Sequence, residues 1–318
     1  MRRSVTCWSV ATVLVLAASA CSSARRADSP GTQRSAAAST SASTSASTSA
    51  STSASTSAAI PAAKDYDPGR FADSADVEHR WYPLRPGSRM DYRGSSVEDG
   101  ERVRHGVTTI VTDLTKRIDG VENVVVWERD YENGELVEAE LALFAQDRDG
   151  NMWHMGEYPE EWEEGRFAKA PAWVHGVAGA YAGITIPAQP REGTAGYAQG
   201  YAPPPISWVD RGRVHRTGVR TCVPEGCYGD VVVVEEFERG VPGAFQDKYY
   251  APGVGVVRVG WRGENDDSKE VLVLVDSRTL SSEEMDQVRA DARAMEDRAY
   301  RISKDVWGTT PRAQVAAD

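Results

Sequence analysis

VENVVVWERDYENGELVEAELALFAQDRDGNMWHM, residues 121–155, holds three apolar runs and two Asx-Gly pairs. The first run, 121–127, is rich in β-branched residues, whose stiff side chains pack well on a pleated surface. In the second, 136–144, Val137, Ala139, Leu141 and Leu143 alternate with Glu138 and Glu140. A period of two places the apolar set on one face and the glutamates on the other, the pattern of a strand with one buried face. Asn133-Gly134 lies between these runs. It is a strong hairpin signal, because both central residues of a type I′ turn need positive φ. Asp149-Gly150 similarly separates the second run from residues 152–155. An antiparallel meander is therefore expected here.

The pattern continues outward on both sides. Residues 107–112 form another β-branched run. After a gap, residues 214–221 turn at Cys222 and Cys227 into 228–237, followed by 246–250, 254–261 and 270–276. Residues 271–275 are apolar on both faces, so both faces need cover. A cover follows in the chain. Residues 281–305 read as an amphipathic helix, with Ser281 as cap and Glu284 completing a capping box. Met285, Val288, Ala292, Met295, Ala299 and Ile302 recur at steps of three and four, making one apolar face. The fold class expected is mainly β: an antiparallel meander forming an open curved sheet or half-barrel, with the C-terminal helix packed on it. Between the two halves, residues 157–208 read as a loop-rich stretch containing Pro203-Pro204-Pro205. Its aromatics Trp162, Trp173 and Trp208, with the nearby Trp153, are the candidate lining of a ligand groove.

The N-terminus carries an address. Arg2 and Arg3 precede an apolar run at residues 10–18, too short for the roughly 20 residues that span a bilayer. Ala18, Ser19 and Ala20 then lead directly to Cys21. The order resembles the lipobox of bacterial lipoproteins, in which the cysteine becomes the acylated N-terminus; Ala18 stands where leucine is usual. The plainer alternative is an ordinary signal cut near Ala20. Acylation at Cys21 would embed the chain firmly, since each buried methylene contributes about 0.8 kcal/mol. Residues 22–63 are almost entirely Ser, Thr, Ala, Gly, Pro and Arg, with Ser-Thr-Ser-Ala units recurring over 39–58. So little bulky apolar surface cannot offset the entropy of ordering, so a disordered spacer is expected. The expected organisation is a signal peptide at 1–20, a lipidated tether at 21–63, a β-rich exported domain at 64–307 and a frayed tail at 308–318.

Charge and cysteine usage bound the function. The chain carries −11. Removing +2 for the signal and +2 for the tether leaves −15 on residues 64–318. An acidic domain argues against nucleic acid as a partner. Cys222 and Cys227 flank the turn-forming Val-Pro-Glu-Gly, and an exported protein meets a non-reducing setting, so a disulfide is expected. A metal pair is the alternative, with His215 the nearest histidine and no second cysteine pair.

Asp147-Arg-Asp149-Gly-Asn151 begins like a calcium loop, but the sixth and twelfth places hold Met152 and Tyr158 instead of Gly and Glu. Glu157, Glu160, Glu161, Glu163 and Glu164 form an acid run that reads as a solvated loop. His79, His105, His154, His175 and His215 fall in no metal or triad spacing. No catalytic residue and no cofactor is assigned.

Three segments together resemble a widespread group of uncharacterised bacterial exported proteins and lipoproteins. They are residues 81–87 (WYPLRPG), residues 144–147 with 150–153 (FAQD, GNMW), and residues 248–257 (KYYAPGVGVV). The resemblance covers about residues 71–262. It implies an open, curved half-barrel like that of periplasmic lipoprotein carriers, and no activity. The expected function is a lipid-anchored envelope lipoprotein on the outer face of the cell membrane. Its domain binds an envelope ligand or partner protein without catalysis. A carrier of lipid on the curved sheet, or a hydrolase with an unrecognised site, are the alternatives.

Overall fold

The structure, a computed structural model, describes residues 65–316. The signal, Cys21 and the tether lie outside the described residues. Sixteen strands run in chain order as β1 Ser88–Glu98, β2 Glu101–Ile118, β3 Val121–Glu132, β4 Glu135–Gln146, β5 Met152–Glu163, β6 Arg166–Lys169, β7 Trp173–Val174, β8 Tyr181–Ile186, β9 Tyr197–Ala198, β10 Gly200–Tyr201, β11 Arg211–Val223, β12 Gly226–Phe237, β13 Phe245–Ala251, β14 Gly255–Arg262, β15 Val271–Thr279 and β16 Gln314–Val315. One helix, α1 Ser282–Ile302, follows β15. The strands form a single antiparallel sheet in the order β10-β8-β5-β4-β3-β2-β1-β15-β14-β13-β12-β11-β9. The two meanders expected from the sequence are therefore joined edge to edge through β1 and β15.

Local chemistry accounts for the hairpins. Asn133 and Gly134 both take positive φ, as the type I′ turn requires, and so do Asp99-Gly100 and Asp119-Gly120 at the β1–β2 and β2–β3 turns. At Asp149-Gly150 the Asp147 carboxylate organises the turn. It accepts from the Asp149 and Asn151 amides at 3.0 and 2.9 Å and from the Trp153 indole at 2.9 Å. That is a turn built on an aspartate side chain, and it uses up the carboxylate that began the calcium-like motif.

The sheet ends curl toward each other without forming a ladder. The Tyr197 hydroxyl on β9 reaches the Thr185 carbonyl on β8 at 3.4 Å. Gly183 makes the approach possible: a Cβ there would lie 2.2 Å from the Gly200 nitrogen. The result is a half-barrel with a seam between β8 and β9.

Helix α1 packs on the outer face. Ser281 and Glu284 form the expected capping box, and Val288, Ala292, Met295 and Ala299 are buried in the main core. Ile302, assigned to the apolar face, is instead 45% exposed. Arg298 clamps α1 to β5 through a two-pronged pair with Glu160, Nε–Oε1 at 2.8 Å and NH2–Oε2 at 2.7 Å. Arg289 holds Asp113 of β2 at 2.9 Å.

Four expectations need correction. The glutamate face of β4 is not solvated: Glu138 and Glu140 are buried along with Ala139, Leu141 and Leu143, because the outer face meets the core under α1 and the inner face closes on the half-barrel. The acid run is not a loop. Residues 157–163 belong to β5, and Glu157 and Glu160 are each 1% exposed. Residues 166–201, read as loop-rich, supply five short strands. The tail is ordered to residue 316. Trp307 is buried against Tyr158, and β16 pairs with Leu114 and Thr115, where a register slip in β2 frees backbone groups.

Cys222 and Cys227 sit directly opposite each other across the β11–β12 hairpin and are joined by a disulfide. A thiol titration of the unfolded mature protein without reductant is expected to find no free thiol; two per chain would contradict the pairing.

Candidate functional site

Side chains directly opposite each other in a sheet share a face. Glu128 of β3 is opposite Glu140 of β4, and one step along Asp130 is opposite Glu138. Like charges facing each other destabilise a sheet. Here the two pairs point into the half-barrel, where water cannot screen them. The register is set by a slip between Asp130 and Tyr131. An unbulged two-residue hairpin would have put Ala139 opposite Glu128.

A small cavity lies beside Glu128 and Glu140. Its volume is about 30 Å³, with His154 of β5, Gln199, Glu236 of β12 and Lys248 of β13 among its lining. About 10–15 Å³ on this scale holds one water, so the space takes one or two water-sized groups. Glu236 is satisfied: it accepts from Gln199 Nε2 and pairs with Lys248 Nζ, each at 2.7 Å. Glu128 is half satisfied, one oxygen accepting from the Thr109 hydroxyl at 2.7 Å and the other buried with no partner. Both oxygens of Glu140 are buried with no hydrogen-bond partner, and so is Nε2 of His154. The nearest carboxylate oxygen to that nitrogen, of Glu157, is 3.4 Å away. Buried polar atoms are almost always paired, so this concentration around one cavity makes it the candidate site.

The electrostatics agree. Burial, then the Asp130 charge, pushes Glu128 up to about 8. Burial, followed by Glu157, Glu138 and Glu128, holds Glu140 well above the usual carboxylate range. Burial and then Lys248 push His154 down to about 3, so its ring is neutral and Nε2 is free to accept. Further along the interior His105 lies 2.8 Å from Glu270 and 3.4 Å from Asp130. Burial opposes its charge, but the two carboxylates outweigh burial and raise it to about 11. That histidine is an imidazolium held in place. Glu128 and Glu140 are instead both pushed toward the neutral form, with the Lys248 charge opposing the shift at Glu128.

The four candidate groove tryptophans are not brought together. Trp173 and Trp208 are 4.9 Å apart and both pack on His154, at 5.0 and 5.4 Å; Trp208 lines the cavity. Trp153 packs elsewhere, against Tyr66 and Phe71. Trp162 is partly buried at the far end of β5. Trp153, Trp173 and Trp208 are fully buried, and Trp162 is partly buried. The three segments that carried the family resemblance do converge here. The Tyr82 ring contacts Phe144 at 5.7 Å and Tyr250 at 5.6 Å, with Lys248 and Val256 beside them on the cavity wall. Among the described residues, no group of three or more His, Cys, Asp and Glu side chains is placed to hold a metal ion.

No family model matches the chain, and no curated protein does. Two solved structures align with it. One, from Bacteroides fragilis, is described as an exported protein with a YmcC-like fold; it shares 13% identity, with 63% of this chain and 100% of that chain covered, at a TM-score of 0.37. The other, described as a lipoprotein, is from Parabacteroides distasonis, at 12% identity, 63% and 99% coverage and a TM-score of 0.31. Likeness at this level does not establish a shared fold.

Sequence reading missed Glu128, Glu140, His154, Gln199, Glu236 and Lys248. The glutamate alternation in β4 was visible. Nothing local to it said that its polar face would be enclosed.

Proposed function

We propose that this protein is a lipid-anchored lipoprotein of the cell envelope whose β domain, held outside the membrane on the 21–63 tether, captures a primary ammonium group inside its half-barrel. The observation that carries the reading is the set of buried acceptors without partners: Glu140 Oε1 and Oε2, Glu128 Oε1 and His154 Nε2. An ammonium offers three donors, enough to serve all three residues at once. Its charge would convert the protonated glutamate pair into a compensated ionic cluster. A cavity of about 30 Å³ admits the head group alone. The role proposed is recognition.

Capture ionises groups that are neutral in the free protein, so protons are released and affinity rises with pH. Titration calorimetry of the mature protein with ethylamine is expected to show affinity rising roughly ten-fold from pH 6.5 to 8, the slope set by the proton on Glu128. Glu140→Gln should weaken binding at least ten-fold. No heat from ethylamine at any pH in this range would contradict the reading.

The anchor is tested separately. Cys21→Ser should move the protein from the membrane fraction to the soluble fraction, because acyl chains supply the membrane affinity. A variant that stays just as membrane-bound would contradict the anchor and leave the interior site untouched.

A further inference from the structure

The outer face of the sheet that α1 leaves uncovered carries a second feature, independent of the interior. Strand register lines up Arg93 of β1, Val273 of β15, Arg258 of β14, Tyr249 of β13, Val233 of β12 and Arg216 of β11 in one row. Directly opposite residues share a face, so the three guanidinium groups rise from the same surface. Adjacent strands are about 4.8 Å apart, which separates Arg93 from Arg258 by ~10 Å and Arg258 from Arg216 by ~14 Å. The row continues through Gly106 to Tyr131, and an open groove of about 510 Å³ begins at Arg93 and Tyr131.

Among the described residues no salt bridge is found to Arg93, Arg216 or Arg258, although residues 64–318 carry −15 and the Asp247 carboxylate feels both Arg216 and Arg258. Arg258 stacks over Tyr249 at 5.1 Å, and its Nε is buried without a partner. Beside this row, Arg213 and Arg262 meet on Glu235, with Arg262 Nε also on Asp247 at 2.9 Å. Positive charge is in local excess. Burial, then Arg213 and Arg216, depress Arg262, and burial, then Arg262, Arg216 and Arg213, depress His215. Arginines so placed bind carboxylate or phosphate in a planar, two-pronged fashion.

We propose that this row docks a linear anionic glycan of the envelope. Charge complementarity selects a polyanion, and two phenol rings lie along the row to meet sugar rings, Tyr131 beyond Arg93 and Tyr249 between Arg258 and Arg216. A membrane surface is disfavoured by the long tether and by the acidity of the rest of the domain. An acidic peptide would meet the charges but would leave the rings unused.

The test uses the full mature protein and an oligomer of α-1,4-linked galacturonic acid, with poly-glutamate and phosphatidylglycerol vesicles as competitors. Expected are glycan binding that weakens steeply with added salt and at least ten-fold tighter than poly-glutamate, and loss of most of that affinity in Arg93→Gln/Arg216→Gln. Both of those side chains are exposed, so unchanged thermal unfolding serves as the folding control. Adding Arg258→Gln should abolish what remains. Equal binding of poly-glutamate, preference for the vesicles, no glycan binding, or binding unaffected by the arginine substitutions would each overturn the proposal. Ethylamine affinity should stay unchanged in these variants, which separates this surface from the interior site.

Discussion

Lys116→Met is expected to cost about 3–5 kcal/mol of folding stability, the range for breaking a buried ion pair by removing one partner. Lys116 is fully buried on β2. Its ammonium donates to Glu296 of α1 at 2.7 Å, to the Tyr300 hydroxyl at 2.9 Å and to the Pro311 carbonyl at 2.5 Å. It also sits 4.7 Å from the Trp307 ring centroid. One cation thus ties the sheet, the helix and the C-terminal strap together. Removing it leaves Glu296, itself 3% exposed, holding only the Ala313 amide. Burial lowers the Lys116 pKa and Glu296 opposes that, so the pair is a compensated burial and not a free gain. Lys116→Met/Glu296→Leu should therefore recover much of the loss, since apolar residues replace a buried pair at little cost. Denaturant titration reads both values. A single-variant loss below about 1 kcal/mol would mean that the strap is held by something else.

The second large effect has the opposite sign. Glu140→Met should stabilise the protein by about 1–2 kcal/mol at pH 8, because it removes a buried carboxyl with no partner, while abolishing ethylamine binding. A site that weakens the fold is the usual signature of a function that the fold alone does not need. The pH dependence follows from the same groups. Glu128 has a folded pKa of about 8 against an ordinary 4.5, so its contribution is complete below 4.5 and is lost as pH rises through 8. His105, at about 11 against 6.5, stabilises below 6.5 and loses that contribution as pH rises through 11. His154 and His79, at about 3 and about 4, act the other way, but only below 6.5. Between pH 6.5 and 8 the acids and His105 all point downward. Stability of the ligand-free protein should fall across that window, and Glu128→Gln should flatten the fall. A stability that rises from pH 6.5 to 8 would contradict the assigned protonation states.

The fold was legible where local chemistry decides it. Asn133-Gly134 demanded a type I′ turn and forms one. The same reasoning would have found Asp99-Gly100 and Asp119-Gly120, both present in the sequence and both turning hairpins. Ser281 and Glu284 announced the start of α1. What stayed hidden depends on contacts far apart in the chain. The burial of Glu138 and Glu140 comes from the sheet curling until β12 and β13 face β3 and β4, which no period within β4 encodes. The bulge at Asp130 is one inserted residue with no composition of its own, yet it decides which glutamates face each other. The tail read as loose because Trp307 is a single aromatic in polar surroundings; its partners, Tyr158 and Lys116, are more than a hundred residues away in the chain.

A crystal structure of the mature protein grown at pH 8 with ethylammonium tests the central claim most directly. We predict a nitrogen about 3 Å from Glu128 Oε1, from a Glu140 oxygen and from His154 Nε2. A cavity that holds only water under those conditions, or a Glu140 carboxyl turned to a partner within the protein, would contradict it.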